Sequence, residues 1–300
     1  MTAYNFLRES SVHLVYGGSR YNLKTTPEVS FSQTFAEDAY EVKTLHDQTK
    51  VSQGTSITRA NPANFSFAVH LTTEKDESIV LDLLVDYDST GSNIKSFDLY
   101  IVSGESTFKL NECVITDGQF SLNKGSPLIL TVSGQAQKLE RVGDETYSLP
   151  GSLQSASSTR TPTLSLIDVE ISGTDVSNLV SAVLTIQNEI DWTPYTTLQN
   201  SLSVTSASNA MYPSGYTLSR RVISGNIVQY LTENNSNDFQ TFNTNVGIRV
   251  KTLVNGSTFF DANLTSCRFT KRVNVAEAFT QTFDYRLLTN PADLSTLISY

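Results

Sequence analysis

The feature that most restricts how this chain can fold is that its second half repeats its first. Leu110-x-x-Cys113-x-Ile115-Thr116 returns as Leu264-x-x-Cys267-x-Phe269-Thr270, at an offset of 154 residues. Ser106-Thr107-Phe108 returns as Ser257-Thr258-Phe259, and Pro62-Ala63-Asn64-Phe65-Ser66-Phe67 as Pro213-Ser214-Gly215-Tyr216-Thr217-Leu218, both at 151. Leu122 is set against Val275 at 153. Matches in one order at a nearly constant offset read as two diverged copies of one unit. Between them, residues 143–163 are rich in Ser, Thr, Pro and Gly and show no hydrophobic period, which is linker chemistry. The 300 residues therefore divide into a first domain 1–142, a linker 143–163 and a second domain 164–300.

Inside each half the dominant period is two. Val12-x-Leu14-x-Tyr16 runs into Gly17-Gly18 and resumes as Tyr21-x-Leu23, a hairpin signal because paired glycines accept positive φ. Val169-x-Ile171 before Ser172-Gly173 repeats it. Val29-x-Phe31-x-Gln33-x-Phe35, Phe65-x-Phe67-x-Val69-x-Leu71, Phe97-x-Leu99-x-Ile101, Val183-x-Thr185 and Val246-x-Ile248-x-Val250 are further alternating runs. One helix is expected after residue 76, capped by Asp76, with Ile79, Val80, Leu83 and Leu84 on one face. A short counterpart is expected around Asn237–Asn243. The fold class that follows is mainly β: two tandem β-sandwich or half-barrel domains, each with one flanking helix. Two long polar stretches, 36–59 and 189–213, occupy matching places and read as loops that reach a neighbour.

Charge and motifs narrow the function. The chain carries 30 acidic against 21 basic residues, a net charge of −9, which disfavours tight binding of nucleic acid. Only 17% of residues are charged, against about 25% in a typical globular chain, and Ser, Thr and Asn are abundant, as in β proteins that live in assemblies. No run approaches the length of a membrane-spanning helix, and Met1-Thr2-Ala3-Tyr4-Asn5 carries no secretory signal. Phosphate-binding glycine loops, zinc-protease and Cys-x-x-Cys motifs and the Gly-x-Ser-x-Gly elbow are absent, so no catalytic residue, cofactor or metal is expected. Asp86-x-Asp88-x-Thr90-Gly91 begins like a calcium loop, but its twelfth position is Phe97 and not the bidentate Glu such a loop requires. His13, His46 and His70 have no ligand partners at coordinating spacing. Cys113 and Cys267 occupy equivalent repeat positions, so two separate buried thiols are expected and no disulfide. Trp192, beside Pro194 and Tyr195, is a candidate interface anchor.

The duplicated β domains, the segment Phe31-Ser32-Gln33-Thr34-Phe35 through Tyr40 and the strand Phe65–Leu71 resemble the major tail tube proteins of long-tailed, siphovirus-type bacteriophages. The form resembled has two tube domains fused in one chain. The resemblance implies a structural protein that forms homotrimeric, pseudo-hexameric rings, with sheet edges bonded between chains. Stacked rings would make a conduit for double-stranded DNA during ejection, ending in other tail proteins. It also implies synthesis in the host cytoplasm, residence in the virion tail, and assembly contacts from the long loops, with Tyr40, Lys43, His46, Trp192 and Tyr195 as candidates. Another phage or secretion-tube structural protein, a carbohydrate-binding β-sandwich adhesin and an enzyme on a β scaffold are the alternatives.

Overall fold

The computed structural model describes residues 10–40, 54–123, 125–156, 164, 166–192, 211–213, 215–235, 239, 244–275, 277–288, 294 and 296–300. The protein is mainly β, and the alternating runs become antiparallel strands. In the first half these are β1 (Ser11–Tyr16), β2 (Ser19–Leu23), β3 (Ser30–Ser32), β4 (Phe35–Tyr40), β5 (Gly54–Ala60), β6 (Ala63–His70), β7 (Phe97–Val102), β8 (Thr107–Asn123), β9 (Ile129–Ala136) and β10 (Lys138–Gly143). A connecting strand β11 (Ser152–Leu153) follows. The second half holds β12 (Leu166–Ile171), β13 (Thr174–Asp175), β14 (Leu179–Trp192), β15 (Tyr216–Tyr230), β16 (Val246–Val254), β17 (Ser257–Asn274), β18 (Thr280–Leu287) and β19 (Ile298–Ser299).

Tight turns fall where the sequence demands positive φ. Gly17 and Gly18 (φ 57° and 79°) close β1 on β2, and Ser172 and Gly173 (52° and 76°) close β12 on β13. Asn255-Gly256 (51° and 80°) closes β16 on β17.

The pairings of the first half recur in the second. β1 pairs β2 and β7, as β12 pairs β13 and β16. β8 pairs β7, β9 and β10, as β17 pairs β16, β18 and β19. The chain β3–β6–β9 has its counterpart in β14–β15–β18. The long strands β8 and β17 each serve two layers, and a bulge marks where they change. Phe97 faces Cys113 while Leu99 faces Leu110; likewise Val246 faces Cys267 while Ile248 faces Leu264. One surplus residue on the long strand bends it. In both bulges the cysteine Sγ turns toward the leucine carbonyl three residues earlier, at 3.4 Å and 3.9 Å.

Strand register corrects part of the sequence alignment. Leu110 and Cys113 correspond to Leu264 and Cys267 as expected. Phe108, however, corresponds to Ala262, because the β16–β17 hairpin is longer than β7–β8. Phe65 corresponds to Gly225, through the shared partners on β9 and β18, so Pro62 does not match Pro213. The ends of the stretch 36–59 are strands and not loop, with β4 and β5 paired from Phe35↔Ala60 to Tyr40↔Gly54, while residues 41–53 lie outside the described residues; of the stretch 189–213, residues 189–192 belong to β14 and 193–210 lie outside the described residues. The linker is also partly ordered, since Ser152 and Leu153 lie parallel to Ser19 and Arg20.

Among the described residues there is one helix, α1 (Ser78–Val85). The residue at its N-cap is Glu77 and not Asp76, and no side chain caps it. The Glu77 carboxylate instead accepts the Thr72 hydroxyl at 2.9 Å. Ile79, Val80, Leu81, Leu83, Leu84 and Val85 are all buried, so the helix is enclosed on more than the expected face. Gly118 on β8 admits it, because a Cβ there would collide with Leu84. The second expected helix, Asn237–Asn243, lies outside the described residues apart from Phe239, whose ring meets Phe283 edge-on at 5.6 Å. One apolar core runs through both halves, with Phe120 against Phe260 at 4.8 Å.

Candidate assembly interface

The two halves are joined as one sheet. β8 pairs antiparallel with β14 from Asp117↔Gln187 to Asn123↔Ser181. Side chains alternate across this joint. Phe120 and Leu122 on β8, with Ala182, Leu184 and Ile186 on β14, point into the core and are 0–2% exposed. The opposite face is polar. One row runs Thr131, Gln119, Thr185 and Ser224 across β9, β8, β14 and β15 before it meets Arg286 on β18. The next row holds Ser121, Val183 and Asn226. The sheet thus continues β3–β6–β9–β8–β14–β15–β18–β17, every step antiparallel.

A buried polar lock secures the joint. Arg221 on β15 donates from Nε to Asn188 Oδ1 at 2.6 Å and from Nη1 to the Val85 carbonyl at 2.9 Å. Asn188 Nδ2 donates to the carbonyls of Ile115 (2.9 Å) and Leu84 (3.2 Å). The last carbonyls of α1 therefore receive donors from the other half of the chain, where a helix C-terminus favours positive charge. The Arg221 guanidinium lies 4.7 Å from the Tyr87 ring centre, and burial pushes its pKa down.

Trp192 also crosses the joint. Its Nε1 donates to Gln135 Oε1 on β9 at 2.8 Å, and its ring lies 5.7 Å from Tyr216. The structure therefore engages this side chain within the chain. Tyr40 is the last residue of β4, opposite Gly54. Lys43, His46 and Tyr195 lie outside the described residues. Sequence reasoning missed Arg221 and Asn188, since neither carries a motif and the helix end they cap is more than a hundred positions away.

Among the described residues the sheet has two open ends. On β3, no described strand lies on the side away from β6. On β17, pairing with β16 stops at Cys267, so from Arg268 to Asn274 only β18 flanks the strand among the described residues. Val273 and Val275 at this end are 51% and 74% exposed. Phe35 and Ile57, on the β4–β5 hairpin, are each 47% exposed.

Most of the acidic candidates have partners within the chain. Asp86 pairs with Lys95 at 2.6 Å, and Asp88 accepts from Thr90 and Asn93 in a self-contained turn. Asp168, Glu170 and Asp175 converge, but Lys251 Nζ sits 3.0 Å from Asp168 and 2.6 Å from Glu170. Cys113 and Cys267 are free thiols, fully buried. Among the described residues no helix is long and apolar enough to cross a membrane.

The model of the Bacteriophage Baseplate Tube Protein Family matches residues 2–297. Baseplate tube protein p140 of Escherichia phage T5 is 25% identical over 150 residues, a stretch covering 46% of this chain and 50% of that protein. The expected resemblance was to the major tail tube; the shared ground is a phage tube protein, and the matching family is that of the baseplate. The chain belongs to the baseplate tube protein family of bacteriophages.

Proposed function

We propose that this chain is a non-catalytic wall subunit of a phage tube, built from two copies of one tube domain. Three chains close into a ring of six such domains, and rings stack into a conduit that passes double-stranded DNA. The observation that carries this reading is the antiparallel sheet that runs uninterrupted through both halves, polar on one face and, among the described residues, open at both ends. Exposed strand edges are a liability in a monomer, and closure into a barrel removes them.

The row of hydroxyl and amide side chains on that sheet would face the lumen. Across β9, β8, β14 and β15 such a wall offers hydrogen bonds; its arginines, Arg268, Arg272 and Arg286, stand at the β17–β18 end, where Asp284 lies 3.6 Å from Arg272 and offsets part of the cationic surface whose counterion release would hold a duplex in place. The net charge of −9 points the same way. The chain is then made in the host cytoplasm and resides in the virion, at or next to the baseplate, with other tail or baseplate proteins at the tube ends. Negative-stain microscopy of the purified chain tests this: rings or tubes of uniform diameter are expected, while compact monomers at every concentration would overturn it.

A further inference from the structure

The internal joint between the halves contains the instructions for a joint between chains. In the first half, residues 117–121 on β8 correspond to residues 270–274 on β17, because both face equivalent positions on β9 and β18. In the second half, Val183, Leu184 and Thr185 on β14 correspond to Ser30, Phe31 and Ser32 on β3, through β15 and β6. β8 and β14 bond to one another inside the chain. Their counterparts, β17 and β3, are the two open ends of the sheet.

We infer that the end of β17 pairs antiparallel with the β3 edge of a second copy in the register of the internal joint, placing Asn274 opposite Ser30 and Val273 opposite Phe31. This rests on the tube reading and specifies the contact that closes the ring. The side chains support the register. Val273 takes the place of buried Phe120, and Val275 that of buried Leu122, yet both valines are about half to three-quarters exposed in the lone chain. Their new partners would be Phe31 and Val29, the half-buried counterparts of Leu184 and Ala182. Every other position on this edge is polar, as in the internal joint. Asn274 Nδ2 bonds the Thr282 hydroxyl at 3.1 Å and Ser30 Oγ lies 2.8 Å from Ser66 Oγ, so both belong to the polar face. A slip of one residue would put Asn274 against Phe31 and turn the valines to the polar side.

Paired cysteines read this register directly. Residues directly opposite in an antiparallel pair have Cβ atoms about 5 Å apart, within reach of oxidation or a short thiol cross-linker. Cys113 and Cys267 are fully buried and give no background. In the full chain, Ser30→Cys with Asn274→Cys is expected to yield covalent multimers, while Ser30→Cys with Arg272→Cys, which reports a two-residue slip, is expected to yield few. Tubes that form without the Ser30–Asn274 link, or with the Arg272 link favoured, would overturn the register and leave the tube reading standing. Absence of both tubes and cross-links would overturn both. Val273→Asp provides the second arm. It changes a side chain exposed in the lone chain, so the melting temperature of the unassembled chain should hold. The concentration needed for assembly should rise about tenfold or more. Unchanged assembly would count against Val273 lying in the contact.

Discussion

Phe65 lies across Gly134 in the first half, and Tyr285 lies across Gly225 in the second. Strand pairing shows these to be the same site with its partners exchanged, Phe65↔Gly134 against Gly225↔Tyr285. Each half needs one ring and one bare backbone there, and either strand can supply either. A position-by-position repeat search sees only Phe against Gly, which is why the true register of this strand was illegible while Leu-x-x-Cys was plain. Gly225→Ala would drive a Cβ into the Tyr285 ring and the Val183 carbonyl. A loss of about 1–3 kcal/mol is expected, read as a lower urea midpoint with unchanged slope; an unchanged midpoint would refute the swapped-pair account. The cysteines are legible at this scale because both halves carry them in the same Leu-x-x-Cys spacing. Burial pushes the Cys267 thiol up to about 12 and that of Cys113 well above its ordinary value, so neither forms thiolate at neutral pH. No reaction of the native protein with a thiol reagent is expected, and two thiols on denaturation without reductant; fewer than two would mean a disulfide.

At the scale of elements, α1 shows what local sequence can and cannot convey. Its apolar residues announce a helix after residue 76, but eight residues are too few to hold a helix alone. Its C-terminal cap comes from Arg221 and Asn188, brought there only by the tertiary joint. Arg221→Ala would leave the Asn188 oxygen and the Val85 carbonyl without their donor, at a cost of about 3 kcal/mol. Denaturant unfolding measures it, and a loss below about 1 kcal/mol would show the lock to be dispensable. The β1–β2 hairpin carries a pH dependence. Burial first, and the charge of Arg20 second, hold His13 below its ordinary 6.5. The unfolded chain therefore binds the proton more readily, and stability should fall as pH drops from about 6.5 toward the folded value. His13→Asn should flatten that slope; an identical pH profile in the variant would assign the acid sensitivity to other groups. The β4–β5 hairpin reads as a loop in the sequence because, among the described residues, Phe35–Tyr40 and Gly54–Ala60 pair with each other alone, and acidic and polar residues obscure their alternation.

For the whole molecule, the repeat predicts two bodies joined by a linker, whereas the structure ties the halves together at several places. The β8–β14 ladder, the Arg221 lock and the shared core all cross the boundary. So does the C-terminal Tyr300. Its hydroxyl accepts the Thr72 backbone N–H at 2.7 Å and donates to the Thr72 carbonyl, while its ring meets Phe259 edge-on. None of these ties has a sequence signature, because each depends on residues far apart meeting in three dimensions. Cutting at residue 143 would bare Phe120 and Leu122 on one piece and Ala182, Leu184 and Ile186 on the other. Removing buried apolar surface of that kind costs several kcal/mol, at about 25 cal/mol per Å². That is comparable to the whole stability of an ordinary domain, so neither half should persist once the other unfolds. Calorimetry of the unassembled chain is accordingly expected to show one transition, with van 't Hoff and calorimetric enthalpies in agreement. Two resolved transitions, each near half the total enthalpy, would mean that the joint is a loose contact between independent domains.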